Sequence, residues 1–396
     1  MIQLAKRVSN IKPSPTLAVT AKAAELRQNG IQVIDLGVGE PDFNTPDPIK
    51  AAGIQAIKEN HSRYTPVGGT PQLKAAVVNK LNRDNQLEYD VNQILVSSGA
   101  KHSIYNLACA LLNPGDEAII PAPYWVSYPD IVSLFDAIPI IAHTHYDDGF
   151  KLTPRTLQNL ITEKTRLLFL NSPSNPTGVA YTRKELQALA EVIKEHPHIT
   201  VLSDDIYEYI YWGSEPFCNI INVCPELKSR CVLINGVSKG YAMTGWRIGY
   251  AAGPVELIAA MQKIQSQSTS NPCSISQQAA KAALQLDRSE LAPMIEAFKS
   301  RHDFLVEALN GLPGVRCLPG QGAFYAFPDI SGAIERLSGQ GVKNDQQFAE
   351  FLLEKGHIAA VAGSAFGASG CIRFSYATSM ENLQKTIGIL QSLLQG

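Results

Sequence analysis

Long apolar runs are missing from this 396-residue chain. No stretch approaches the ~20 consecutive apolar residues of a membrane helix. Gly, Pro or charge breaks the longest candidates. The opening MIQLAKRVSNIKPSP has no apolar core of signal-peptide length. Charge of one sign is missing too. The 34 basic and 36 acidic residues leave a net charge of -2, which argues against a nucleic-acid or membrane-surface partner. CxxC spacing is absent, and the 7 cysteines are odd in number and scattered, so they read as reduced, buried thiols of a cytoplasmic protein. His143-Thr-His145 and His196-Pro-His198 lack a third ligand at useful spacing and read as ordinary strand or loop histidines. Repeats and low-complexity linkers are also lacking.

What is present describes a packed globular protein, 45% apolar and 18% charged, long enough for about two domains. Strands and helices alternate through the middle. Strands are predicted at 94–98, 117–121, 138–143, 166–170, 199–203, 231–234 and 246–252. Helices are predicted at 101–112, 125–135, 153–161 and 182–195. Several strands are continuous apolar runs, as expected when helices cover both faces of a mostly parallel sheet. This is an α/β doubly wound pattern. The end of the chain differs, with helices at 291–309, 345–355 and 380–394 and short strands near 314–317, 323–327 and 371–376.

Ligands of open α/β sheets bind outside the carboxyl ends of the strands. Polar and aromatic residues gather at five such ends: Gly99-Ala100-Lys101, Tyr124-Trp125, Asn171 to Gly178, Asp204-Asp205-Ile206-Tyr207, and Lys239. Lys239 follows an apolar strand in a turn of small residues, with Arg247 eight positions on. A lysine so placed can form a Schiff base with a carbonyl cofactor, and the arginine can hold a phosphate. Gly99, Ala100 and Lys101 open a helix whose N–H groups and dipole suit the same anion. Asp204 and Asp205 also fit a helix N-cap after a strand.

The segment Asn235 to Tyr250, with Gly236, Ser238, Lys239, Gly245, Arg247 and Gly249 in register, resembles the lysine signature of class I aminotransferases of pyridoxal-phosphate fold type I. The resemblance runs from Lys12 to Ser379. It implies a large cofactor-binding domain over residues 45–290, and a small α+β domain from 291–396 with the N-terminal residues 1–44. It also implies roles. Lys239 carries the pyridoxal 5'-phosphate and moves the substrate proton. Asp204 partners the pyridine nitrogen. Tyr207 and Asn175 hold the phenolic oxygen, with a cis Asn175–Pro176 bond. Trp125 stacks on the ring. Ser238 and Arg247 join Gly99, Ala100 and Lys101 at the phosphate. Many relatives carry a serine where this chain has Gly236, so one phosphate hydrogen bond is missing or replaced.

Arg373 is implied to pair with the substrate α-carboxylate, and the Gly39 N–H to assist it. Tyr64 matches a tyrosine that reaches the phosphate of a neighbouring subunit, which implies a homodimer with shared active sites. A loop tyrosine packed on Pro66 fits position 64 equally well. Within the family the chain resembles the bacterial and plant subgroup acting on aspartate, in which Lys101, Ser14 and Thr16 receive a distal carboxylate. The expected reaction is L-aspartate with 2-oxoglutarate, giving oxaloacetate and L-glutamate. Prephenate stays open as a substrate, as do alanine, aromatic amino acids or diaminopimelate, and lyase chemistry on the same cofactor.

Overall fold

The computed structural model describes residues 2–11, 13 and 15–395. Its strands are, in chain order, β1 (Ile34–Asp35), β2 (Ile94–Ser97), β3 (Glu117–Ala122), β4 (Ile138–His143), β5 (Thr165–Asn171), β6 (Thr200–Asp204), β7 (Cys231–Gly236), β8 (Gly249–Ala252), β9 (Tyr325–Ala326), β10 (Ile358–Ala359), β11 (Val361–Ala362) and β12 (Ile372–Ser375). Seven of them form one sheet in the order β2-β8-β7-β6-β5-β3-β4. Only β8 runs antiparallel to its neighbours, so the carboxyl ends of β2, β3, β5, β6 and β7 share one edge.

Side chains of a strand alternate between faces, and here both faces are apolar. Leu168, Leu170, Val201 and Leu233 enter one core, while Leu167, Phe169, Leu202, Val232 and Ile234 enter another. Helices cover each side, which explains the unbroken apolar runs in the sequence. The helix Arg183–Lys194 is typical of the covering layer. It begins with a Thr182–Glu185 capping box and buries Leu186, Leu189, Ala190 and Ile193. A cap of this kind contributes about 1 kcal/mol. A separate core around Phe298, Phe324, Phe348 and Phe374 joins the C-terminal helices to the small sheet β11-β12-β9.

Three local readings need correction. No strand forms at 314–317, where Arg316 makes only an isolated bridge to Asp329. The helix expected from Trp125 begins at Ser127. The strand expected from Trp246 begins at Gly249, because Arg247 takes a left-handed φ of 57°, which no strand accommodates. The sequence reading also passed over the helices Asp47–Lys58, Pro71–Asn85, Val255–Ser266 and Ser274–Gln285, whose residues pack on the sheet or on each other. Among the described residues no helix is long and apolar enough to cross a membrane.

Candidate active site

The carboxyl edge of the sheet opens onto a cavity of about 450 Å³. The lining includes Thr16, Gly39, Ala100, Lys101, Trp125, Asn175, Asp204, Tyr207, Ser238, Lys239, Arg247 and Arg373. These residues come from eight separate parts of the chain; the edge of the seven-stranded sheet gathers most of them, while Thr16, Gly39 and Arg373 reach the cavity from outside that sheet. A larger cavity of about 680 Å³ lies beside the helix Pro15–Gln28, but its walls mix alanine and valine with scattered polar residues, and Lys22 is the one cation among its described lining residues, without the convergent cations of the sheet edge.

One end of the cavity is a cradle made by missing side chains. Gly99 precedes the helix Ala100–Leu111 with φ 90°, and a Cβ there would lie 2.3 Å from Arg247 Nη2. A Cβ on Gly249 would lie 2.2 Å from Ala100 N. The two glycines thus let β8, the helix N-terminus and Arg247 close on one point. Free N–H groups at a helix start, a guanidinium and the Ser238 hydroxyl make that point suited to a phosphate. Gly236 sits opposite Gly249 in the ladder, and its Cβ would meet Gly249 Cα at 2.9 Å. The close approach of β7 and β8 therefore leaves no room for a side chain at position 236.

Lys239 reaches the middle of the cavity and donates to the Gly39 carbonyl. Burial pulls its amine down to about 8, helped by the nearby Arg373 and Arg247 charges and opposed by Glu40. Asp204 is buried at the end of β6. Burial pushes its carboxyl up to about 6, against hydrogen bonds from Tyr128 Oη at 2.6 Å and the Ile206 N–H at 3.3 Å. Asp205 is not the helix cap its position suggested, since no helix follows β6. Its carboxylate is buried instead and accepts from Ser203 Oγ and Asn219 Nδ2.

Arg373 is 2% exposed. Its Nη1 donates to Asn175 Oδ1 at 2.9 Å and its Nη2 to the Gly37 carbonyl at 2.6 Å. The guanidinium lies between the rings of Tyr325 and Phe366, at 4.5 and 4.9 Å. Its Nε finds no partner among the described residues. An unpaired N–H on a buried cation is costly, and a carboxylate entering the cavity would relieve it. Lys101 stands over Trp125, 4.7 Å from the ring centroid, with its proton affinity lowered by burial and then by Arg247.

The Asn175–Pro176 bond is cis, as expected from the resemblance. Asn175 is held by Asn171, whose Oδ1 accepts the Asn175 N–H while its Nδ2 donates to the Asp204 carbonyl. Tyr64 lies outside the cavity and is 93% exposed, so it does not pack on Pro66. Ser14 lies outside the described residues. Cysteine burial was overstated: Cys273 is exposed and Cys109 intermediate.

Sequence reading missed Tyr128 and Tyr325 in the cavity wall, and placed Asn171 at a strand end without a role. Tyr128 could have been found one helical turn beyond Trp125, and Asn171 by its four-residue spacing from Asn175. Tyr325, within an apolar aromatic run, carries no local signal.

A family model described as aminotransferase class I and II matches residues 31–390. The chain is 53% identical to an aspartate/prephenate aminotransferase of Nitrosomonas europaea, over 99% of this chain and 100% of that protein. It is 50% identical to one of Cereibacter sphaeroides, over the full length of both. The aspartate aminotransferase of Rhizobium meliloti superposes with a TM-score of 0.96 at 44% identity, covering 100% of this chain and 99% of that one. That of Thermus thermophilus, solved with maleate, gives 0.92 at 39% identity, covering 99% and 100%.

Proposed function

Since the chain belongs to the class I and II aminotransferases, we propose that it transfers the amino group of L-aspartate to 2-oxoglutarate, giving oxaloacetate and L-glutamate. The observation that carries this reading is the buried, incompletely paired Arg373 in the same cavity as the partly neutral amine of Lys239. The first suits an α-carboxylate and the second a proton transfer at the neighbouring carbon.

The cavity fits pyridoxal 5'-phosphate. The glycine cradle with Arg247 and Ser238 would take its phosphate, Asp204 its pyridine nitrogen, Asn175 and Tyr207 its phenolic oxygen, and Trp125 one ring face. When bound, this cofactor supplies an aldehyde for amines and a ring that accepts electron density. The chain does the rest. Arg373, with the Gly39 N–H, holds the α-carboxylate and so fixes which Cα–H faces Lys239. Lys239 takes that proton and returns it, and its lowered proton affinity keeps part of the amine ready near neutrality. Ionised Asp204 holds a proton on the ring nitrogen. Amino acid and oxo acid exchange in turn, as ping-pong kinetics would report.

Lys101 and Thr16 would receive the distal carboxylate of a dicarboxylate substrate. Maleate, with which the Thermus thermophilus relative was solved, is a dicarboxylate. Prephenate carries two carboxylates too, and relatives bear it in their names, so prephenate transamination is the second reading. The exposed Tyr64 supports a homodimer with shared sites, and the free cysteines support a cytoplasmic location. The deciding experiment is a panel of amino donors and oxo acids, prephenate included, read by half-reaction spectroscopy. Turnover of aspartate well above alanine and phenylalanine is expected. Equal use of all donors would refute the dicarboxylate assignment.

A further inference from the structure

Tyr325 Oη lies 3.0 Å from Tyr207 Oη, and both phenols are buried in the cavity wall. The rings meet edge to face at 5.9 Å and 82°. Tyr325 also bounds the substrate side, since its hydroxyl is the atom that a Cβ on Gly39 would strike, at 2.9 Å. It sits on β9 opposite Ser375, so Arg373 is its diagonal neighbour across the ladder, and the guanidinium lies 4.5 Å from its ring.

Each phenol carries one proton, and one of the two lies between the oxygens. When Tyr207 gives its proton to Tyr325, its oxygen offers the cavity only lone pairs. When Tyr325 donates, Tyr207 keeps a proton to point inward. The cation on the Tyr325 ring withdraws electron density and makes that phenol the stronger donor. A phenol that accepts a hydrogen bond also becomes a better donor itself. Resting on the proposed role of Tyr207, we propose that Tyr325 is a positioning residue: it donates to Tyr207 and so aims the Tyr207 proton at the cofactor's phenolic oxygen.

The test is a pH titration of the visible absorption of the cofactor-loaded protein, without substrate. Donation to the phenolic oxygen stabilises its anionic form and lowers the pH at which the band titrates. Y325F should move the midpoint upward by about half a pH unit to one pH unit, the worth of one hydrogen bond. In a Y207F background, Y325F should add nothing. A Y325F midpoint equal to that of the unsubstituted protein overturns the proposal. So does an equal shift in the Y207F background, which would mean an action through Arg373. Should Y325F fail to fold, a fluorinated tyrosine at 325 keeps the shape and acidifies the donor. It must move the midpoint downward, and any other result overturns the proposal. Lack of a titrating band in the unsubstituted protein is a different failure, that of the cofactor assignment itself.

Discussion

Tyr128 donates to Asp204 at 2.6 Å, with both groups buried beneath the cavity. The bond favours the carboxylate that burial disfavours. Tyr128→Phe removes it, so the carboxyl rises further above about 6. The acid limb of the pH–rate profile should then move to higher pH, and cofactor affinity should fall about tenfold at neutrality. Both are measured by titrating activity and by equilibrium dialysis, and unchanged values would show that the carboxylate does not depend on this phenol.

The same carboxyl makes the cofactor-free protein less stable. Its folded proton affinity lies above the unfolded one, so stability is lost as pH rises from about 4 to about 6, and the loss is complete above that window. Asp204→Asn removes the charge and keeps the shape. In the cofactor-free protein at pH 8 it should raise the melting temperature, with an upper bound of about 3 kcal/mol from the shift of 3.8 to about 6. The gain should vanish near pH 4. A lower melting temperature at pH 8 would contradict this.

Lys239 behaves in the opposite sense. Its amine is depressed to about 8, so the neutral nucleophile accumulates as pH rises through that value. The rate at which added pyridoxal 5'-phosphate develops visible absorption should climb through pH 8 and then level, as stopped-flow mixing can follow. Lys239→Ala should show no such absorption and lose about 100-fold or more in turnover.

Lys101→Ala separates substrate classes. Loss of a charge-assisted contact costs about 1.5–3 kcal/mol, or about 10- to 150-fold. The fall in kcat/KM should be of that size for aspartate and within about threefold for alanine. An equal fall for both would assign Lys101 to the phosphate alone.

Gly249→Ala tests the cradle. The added Cβ would meet Ala100 N at 2.2 Å, and overpacking of this kind costs about 1–3 kcal/mol. Lower thermal stability and weaker retention of inorganic phosphate, followed by calorimetry, are expected together. Lower stability without weaker phosphate binding would make the contact purely architectural.

Much of this site is legible in the sequence because each strand end announces itself. An apolar run stops, and Asp204, Asn175 or Lys239 stands at or just beyond it. What stayed hidden depends on long-range register. Tyr325 reads as one more core aromatic until β9 pairs with β12 and sets it beside Arg373. The left-handed Arg247 looked like strand because φ is not written in residue type. The helices at 47–58 and 71–85 went unread because each opens at a Pro in a Gly- and Pro-rich stretch, and Gly53 interrupts the first.

The helix Pro15–Gln28 carries Thr16 into the cavity, yet among its described side chains only Ala23 is buried. Asp204 and Lys239 stand instead at or just beyond the ends of strands with both faces locked in packing. Of the two residues proposed to receive the distal carboxylate, Thr16 thus rides on a sparsely buried element and Lys101 on a helix packed against the sheet. The rim at position 16 can therefore vary with little disturbance to the packed sheet beneath Asp204 and Lys239.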